Sequence, residues 1–345
     1  MGLYLSNGYV NMRPIIEDQQ HPFAFVWGGR GTGKTYGSIE YLISSGIKFL
    51  FMRRTQAQLD MVNKPLFSPL NPVLSAHQEW NIVIDSVTDK NYGFFWANEE
   101  GKPDYSRLIG FTAALSTISN LRGFSGTDSA DVILFDEFIP ESHERPIKNE
   151  CDALLNAYET VNRNRELQGR RALKMVCLAN SNQLTNPIFE GLGLTKKVKQ
   201  MRKRRAEVSY DDRRGIALYA LDNSPISLKK RETALYKLAG IKSRFSEMAL
   251  DNTYNWDTGS RIESRNLDEY RPCVAVGRWC LYSHKSRTEY YACKHVSGTP
   301  AKYTTSEEDR RRFMRAYIWV WSAYLRNQIV FEDESSEHIL VKMFC

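Results

Sequence analysis

"FAFVWGGRGTGKTYG", Phe23–Gly37, decides the fold. Phe23 to Trp27 is a short apolar run, glycines follow, and from Tyr36 to Ser44 the apolar residues return at helical spacing, so the order is buried strand, loop, helix. Gly28, Gly33, Lys34 and Thr35 satisfy G-x-x-x-x-G-K-[ST]. In such a loop the glycines let backbone N–H groups wrap phosphate oxygens while a helix N-terminus faces the negative charge. Gly28, Gly29, Arg30, Gly31, Thr32, Gly33, Lys34 and Thr35 are therefore the expected triphosphate-binding residues. Lys34 is expected to reach the terminal phosphates and Thr35 the Mg2+.

A second element agrees with the first. "VILFDE" presents four apolar residues of a buried strand and then Asp136 and Glu137, which a strand's C-terminal end brings beside the phosphate loop. Asp136 is the expected magnesium residue, acting through coordinated water, and Glu137 the base that orients or deprotonates the attacking water. A carboxylate at the second position favours hydrolysis over nucleotide sensing. "TVNRNRELQGRR" closes the next helix, and an arginine there is read in two ways: a finger reaching a neighbouring subunit's triphosphate, or a partner of Glu159 or Glu166. Asn180, just past the following strand, is a candidate contact to the terminal phosphate or a turn residue before Asn186-Pro187.

Around these motifs strands and helices alternate. "KFLFM" (Lys48 to Met52) and "RLIGFTAAL" (Arg107 to Leu115) read as strands, and "NIVIDS" and "YGFFWAN" as a hairpin around "VTDKN". Apolar residues at 151, 154, 155, 158 and 161 mark one helix face, and "KMVCLAN" returns to a continuous strand. The expected class is α/β, with a mostly parallel sheet covered on both faces. After about residue 222 the texture changes: "SPISLKKRETALYKLAG" reads as one linking helix, "CVAVGRWCLYSH" and "TEYYACKH" as paired strands, and "SEEDRRRFMRAYIWVWSAYLRN" as one long helix. The expected division is an ATPase domain over 1–222, a linker over 223–250 and a smaller domain over 251–345.

The chain has 345 residues, with 42% hydrophobic and 25% charged, values of a folded protein with proper cores. No apolar run approaches the ~20 residues that span a bilayer, and "MGLYLSNGYVNMRP" lacks a signal peptide's basic leader and apolar core. The six cysteines include no CxxC pair and are expected to be reduced thiols of a cytosolic protein. The histidines are dispersed, which argues against structural zinc. A net charge of +7 suggests a polyanionic partner, and "KKVKQMRKRR", Lys196 to Arg205, concentrates seven basic residues in ten. Taken alone, such a run reads as a solvated face.

These residues together resemble the phi29-type DNA-packaging ATPases of small tailed phages. The resemblance rests on "GGRGTGKT", "FMRRTQAQL", "VILFDEFI", "NECDALLN", "TVNRNRE", "VCLANS", Asn186-Pro187, "SEMALDN" and "SAYLRNQIVFEDESSEHILVKMF", and so covers most of the chain. It implies a phosphate-loop NTPase of the additional-strand, catalytic-glutamate type that uses ATP and Mg2+ to pump double-stranded DNA into a capsid. It further implies a ring, usually of five copies, docked on the portal in the host cytoplasm, with ATP sites between subunits and a scaffold RNA open as a further partner. By the same resemblance Arg163 falls at the intersubunit finger, with Arg165 in reserve, and Arg30 is an in-loop arginine common in packaging motors. Arg122 matches a position coupling nucleotide state to DNA grip or to a neighbouring site. Arg53 and Arg54 match a basic pair whose phosphate, DNA and structural roles stay open. Lys196, Lys197, Lys199, Arg202, Lys203, Arg204 and Arg205 become candidates for lining a DNA channel, through contacts to phosphates rather than bases.

The resemblance also implies an RNase H-like C-terminal domain. A working nuclease needs a metal-binding carboxylate on its first strand, and "PCVAVGRWCLYSH" contains none. Asp251, Asp257, Asp268 and Glu289 lie nearby without forming a convincing cluster, so the domain is expected to be a vestigial nuclease used for DNA or portal contacts. The competing readings are a terminase with an active nuclease and a nucleotide-gated adaptor with little turnover.

Overall fold

The computed structural model describes residues 2–62, 68, 70–121, 128–140, 147–180, 186–221, 224–230, 232–239, 262–326 and 328–344. The chain forms two compact units: Met1–Ile139 with Cys151–Ser181 and Gln200–Thr253, and Pro140–Glu150 with Asn182–Lys199 and Tyr254–Cys345. The second unit thus draws two segments from within residues 1–222.

The first unit holds a nine-stranded sheet in the order β3-β4-β5-β2-β6-β7-β1-β9-β8. The strands are β1 (Phe23–Gly28), β2 (Phe49–Arg53), β3 (Ile82–Thr88), β4 (Asn91–Ala97), β5 (Pro103–Ala114), β6 (Val132–Asp136), β7 (Lys174–Ala179), β8 (Val208–Asp211) and β9 (Ile216–Leu221). Strands β5, β2, β6, β7, β1 and β9 run parallel, while the β3–β4–β5 and β8–β9 pairs are antiparallel. This agrees with the strand patterns: β2, β6, β7 and β9 are almost entirely apolar and buried, as strands covered on both faces must be, whereas β3 at the edge is half-buried. β7 lies between β1 and β6. Ala24, Val26, Ile39, Leu42, Phe49, Leu134, Val176 and Leu178 belong to one core, joined by Val10, Met12, Ile15 and Ile16 of the N-terminal segment.

The expected linking helix is interrupted. Two short helices, Pro225–Lys230 and Ala234–Ala239, replace it. Thr233 donates its hydroxyl to the Lys230 carbonyl at 2.8 Å, the local side-chain bond by which threonine competes with a continuing helix.

The second unit holds a five-stranded sheet in the order β13-β10-β11-β12-β14: β10 (Tyr270–Val276), β11 (Trp279–His284), β12 (Tyr290–Cys293), β13 (Ala301–Tyr303) and β14 (Ile329–Phe331). β10, β11 and β12 form an antiparallel meander, and β13 and β14 add in parallel at its two edges. The long helix expected over 306–327 is two helices, Glu307–Ala316 and Ile318–Leu325, broken at Tyr317 (φ −125°, ψ 30°). The break suits their different faces: the first helix buries Phe313, packs Met314 against the same core and is mostly charged elsewhere, while the second is apolar nearly all round. Tyr317 stacks on Phe313 at the junction. Among the described residues, no helix is long and apolar enough to cross a membrane.

Candidate active site

The phosphate loop follows β1 directly, and two constraints explain its glycines. A Cβ on Gly28 would lie 2.6 Å from the Leu221 Cβ of β9, so only glycine lets these neighbouring strands close here. Gly31 (φ 67°) and Gly33 (φ 93°) occupy the left-handed region that glycine adopts without strain, and Gly33 caps the helix Lys34–Ser44. Lys34 is buried inside this curl, with its amine donating to the carbonyls of Gly28 (3.0 Å) and Gly29 (2.9 Å) and to Thr32 Oγ1 (3.1 Å). Burial pulls its pKa down to about 7, Asp136 and Glu137 oppose that shift, and the nearby Lys230 reinforces it.

β6 brings Asp136 to the same level. Asp136 and Val26 both pair with Leu178 of the intervening β7, which places the carboxylate beside the start of the loop. Thr35 Oγ1 donates to Asp136, 3.1 Å from each carboxylate oxygen. Glu137 turns the chain in the left-handed region (φ 58°), and its N–H donates to Asp136 Oδ1 at 3.1 Å. Arg53, at the end of neighbouring β2, bridges the two acids: Nη2 lies 3.0 Å from Asp136 Oδ2 and Nη1 pairs closely with Glu137 Oε2. The Asp136 side chain is only 5% exposed and that of Glu137 is 39% exposed, so of the two acids Glu137 is the one open to solvent. A hydroxyl and a buried carboxylate sharing one short contact at a phosphate loop form an all-oxygen donor set that suits Mg2+, and the cradle of glycine, lysine and loop backbone suits a polyphosphate.

The remaining expected residues separate. Asn180 follows β7, at the edge of the sheet between the ends of β1 and β6. Arg54 is fully buried. Arg163 and Arg165 lie at the opposite edge of the sheet, near the residues that precede β6. Arg163 is half-exposed and bonds Asp128 at 2.8 Å rather than Glu159 or Glu166. Arg165 is buried, donating to the Ala130 carbonyl at 2.7 Å and pairing with Asp131 at 3.4 Å, so its guanidinium is committed to holding the chain and is not a free finger. Arg122, Asp251 and Asp257 lie outside the described residues.

The basic run is less uniform than its composition. It forms the helix Thr195–Lys203 and the turn after it, with Lys196, Lys203, Arg204 and Arg205 exposed. Lys199 instead bonds Glu337, a fully buried acid, at 2.6 Å, which removes it from the surface candidates. Glu289 accepts from the Tyr270 hydroxyl at 2.7 Å, and no group of three or more potential metal-ligating side chains occurs among the described residues. Lys230 was not singled out in the sequence, yet its amine donates to the Arg30 carbonyl at 2.5 Å. The only sequence signal for it was the Lys229-Lys230 pair, read as part of a linking helix.

Strand, glycine loop and helix, with an acid pair two strands away, define the first unit as an α/β protein with a glycine-rich loop at the C-terminal edge of its sheet. The family model described as Podovirus DNA encapsidation protein (Gp16) matches residues 8–277, and the chain belongs to that family. Among its relatives are the DNA packaging proteins of Bacillus phages phi29 and PZA, each 31% identical over 250 residues; the match covers 71% of this chain and 65% of theirs. The chain is also 29% identical over 341 residues to the DNA packaging protein of Bacillus phage B103, covering 93% of this chain and 95% of that one. The solved structure of the phi-28 gp11 DNA packaging motor shares the fold at 19% identity, with a TM-score of 0.56 over 98% of this chain and 97% of that one.

Proposed function

We propose that this protein is an ATP-driven motor that moves double-stranded viral DNA into a preformed capsid through its portal, hydrolysing ATP at sites between the subunits of a homo-oligomeric ring, five in number. The observation that carries this reading is the cluster of Thr35, Asp136, Glu137 and Arg53 at the mouth of the glycine loop. The position of β7 between β1 and β6 supports the additional-strand, catalytic-glutamate type.

In this mechanism the loop from Gly28 to Thr35 and the Lys34 amine bind the β- and γ-phosphates, and Lys34 exchanges its loop carbonyls for phosphate oxygens. Thr35 and Asp136 would hold Mg2+, which would supply positive charge to neutralise the phosphates. Arg53 holds Glu137 in an ion pair, so the base acts once that contact opens and its carboxylate is free to accept a proton from water. Asn180 contacts the terminal phosphate from the end of β7.

Arg163 pairs with Asp128, ahead of β6, whereas Asp136 ends that strand, so Arg163 is assigned to a neighbour's site and not its own. A finger in trans stabilises transition-state charge and ties each subunit's turnover to its neighbour. Lys196, Lys203, Arg204 and Arg205 supply phosphate contacts to DNA. The second unit is read as a vestigial, RNase H-like nuclease fold used for DNA or portal contacts and not for cleavage, a reading supported by the lack of a carboxylate on β10.

The test is ATP hydrolysis with and without double-stranded DNA. Stimulation by DNA that disappears in Glu137→Gln supports the motor, whereas turnover indifferent to DNA counts against it. Metal-dependent nicking of plasmid by the purified protein overturns the non-cleaving reading of the second unit.

A further inference from the structure

Lys230 ends the short helix Pro225–Lys230, which comes shortly after β9. β9 itself touches the loop, since Leu221 is the residue that excludes a side chain at Gly28. The same helix region is fixed to the N-terminal turn: Ser224 Oγ meets the Gly8 carbonyl at 3.5 Å and the Lys229 amine meets the Asn7 carbonyl at 3.2 Å. That turn is in turn pinned to the loop by the Val10 N–H on the Thr32 carbonyl at 3.0 Å. The helix therefore delivers Lys230 to a defined place. A Cβ built on Gly31 would lie 2.2 Å from its Nζ, so the amine fills the hollow that glycine leaves in the middle of the loop.

The charges around it are unbalanced. Among the described residues no carboxylate pairs with Lys230, and its half-buried ammonium raises the cost of charging Lys34 nearby. Two partly dehydrated ammonium groups at one glycine loop repel each other, and an anion of several charges placed between them converts that repulsion into attraction.

We infer that Lys230 is a second phosphate-binding cation of this site, reaching the polyphosphate from the helix after β9. The inference rests on the nucleotide reading above. It makes the segment that follows the sheet a direct sensor of whether the loop is filled, because the amine leaves the Arg30 carbonyl for a phosphate oxygen when nucleotide binds.

The experiment is calorimetric titration of the full chain with Mg2+·ADP and with AMP, for wild type, Lys230→Met, Lys230→Gln, Lys230→Arg and Lys34→Ala. Glutamine keeps a neutral donor for the Arg30 carbonyl and so separates lost charge from lost packing; circular dichroism checks each fold. The expected result is an ADP-to-AMP affinity ratio about tenfold lower in both Met and Gln, about 1.4 kcal/mol, with Arg close to wild type. Wild-type ADP affinity in both charge-removing variants overturns the inference. Equal losses for ADP and AMP also overturn it, since the amine would then serve the base or the loop and not the phosphates. Failure of the wild type to bind ADP, or wild-type binding by Lys34→Ala, overturns the nucleotide site itself and is distinguishable from both.

Discussion

The two edges of the parallel sheet treat charge in opposite ways. At the C-terminal edge Lys34, Thr35, Asp136, Glu137 and Arg53 are drawn into one network in which acids and bases are shared. At the N-terminal edge two arginines two positions apart go separate ways: Arg163 stays half-exposed on a surface acid, and Arg165 is sealed under the chain before β6. Arg163 (φ 42°) and Asn164 (φ 58°) both adopt the left-handed region, and this reversal sends neighbouring side chains to different environments. The proposed ring would use this difference, with the exposed arginine of one copy completing the charged, part-open site of the next.

The largest effect should come from the exposed arginine. Arg163→Ala is expected to lower DNA-stimulated turnover about 10³-fold or more while leaving the melting temperature nearly unchanged, since an exposed ion pair contributes about 0–1 kcal/mol. Arg165→Ala should do the reverse, losing about 2–3 kcal/mol of stability with its bond to the Ala130 carbonyl. If the two variants behave alike, the contrast between these arginines is wrong. Mixing Arg163→Ala with Glu137→Gln subunits should restore part of the activity, because some interfaces then pair an intact base with an intact arginine; no recovery at any ratio sinks the trans assignment.

Next in size is the base. Glu137→Gln should reduce turnover about 10²–10⁴-fold while Mg2+·ATP still binds, as measured by single-turnover hydrolysis beside equilibrium titration. Loss of binding in step with turnover would instead make Glu137 a structural partner of Arg53.

Much of the C-terminal edge was legible in the sequence because its residues are adjacent in the chain: Gly28 to Thr35 is one loop, and Asp136-Glu137 ends one apolar strand. The Arg53 bridge was not, since it arises from the β2–β6 pairing, and local spacing carries no trace of a contact between strand ends. The fates of Arg163 and Arg165 were equally hidden, because both follow the same helix and only the backbone reversal separates them. Lys199 shows the same limit in the second unit: seven basic residues in ten read as one surface, but one of them neutralises a buried acid. The broken helices at Thr233 and Tyr317 failed for a different reason, as helical spacing continues across a break set by a side-chain bond or by a change of packing partner.

Acid and base should also divide the edges. Burial holds the Lys34 amine at about 7, well below its ordinary 10.5. Between those values the unfolded chain carries a proton that the folded chain lacks, so this group's contribution to stability rises with pH from about 7 to 10.5, falls over the same window as pH drops, and levels off below 7. Polyphosphate favours the charged amine, so affinity for Mg2+·ADP should fall as pH rises above 7. Calorimetry at pH 8.5 in buffers of different ionisation enthalpy should show proton uptake approaching one per ADP bound, and Lys34→Met should remove it. Binding without proton uptake in the wild type would place the amine's pKa elsewhere.

The smallest effect belongs to the N-terminal edge, where His21 sits just before β1 between Asp18 (2.7 Å) and Asp212 (2.8 Å). Burial disfavours its charge, but the bonds from Asp212 and then Asp18 outweigh burial and raise its pKa above 6.5. A raised histidine stabilises the fold fully below the unfolded value of 6.5 and loses that contribution as pH climbs through the folded one. His21→Gln should therefore cost about 1 kcal/mol at pH 6 and less at pH 8.5, read from thermal melts. Its affinity for Mg2+·ADP at pH 6 should match the wild type, because the length of β1 separates His21 from the glycine loop. An altered affinity at unchanged Lys34 titration would mean that β1 transmits strain from one edge to the other, and the two edges would then have to be treated as one coupled site.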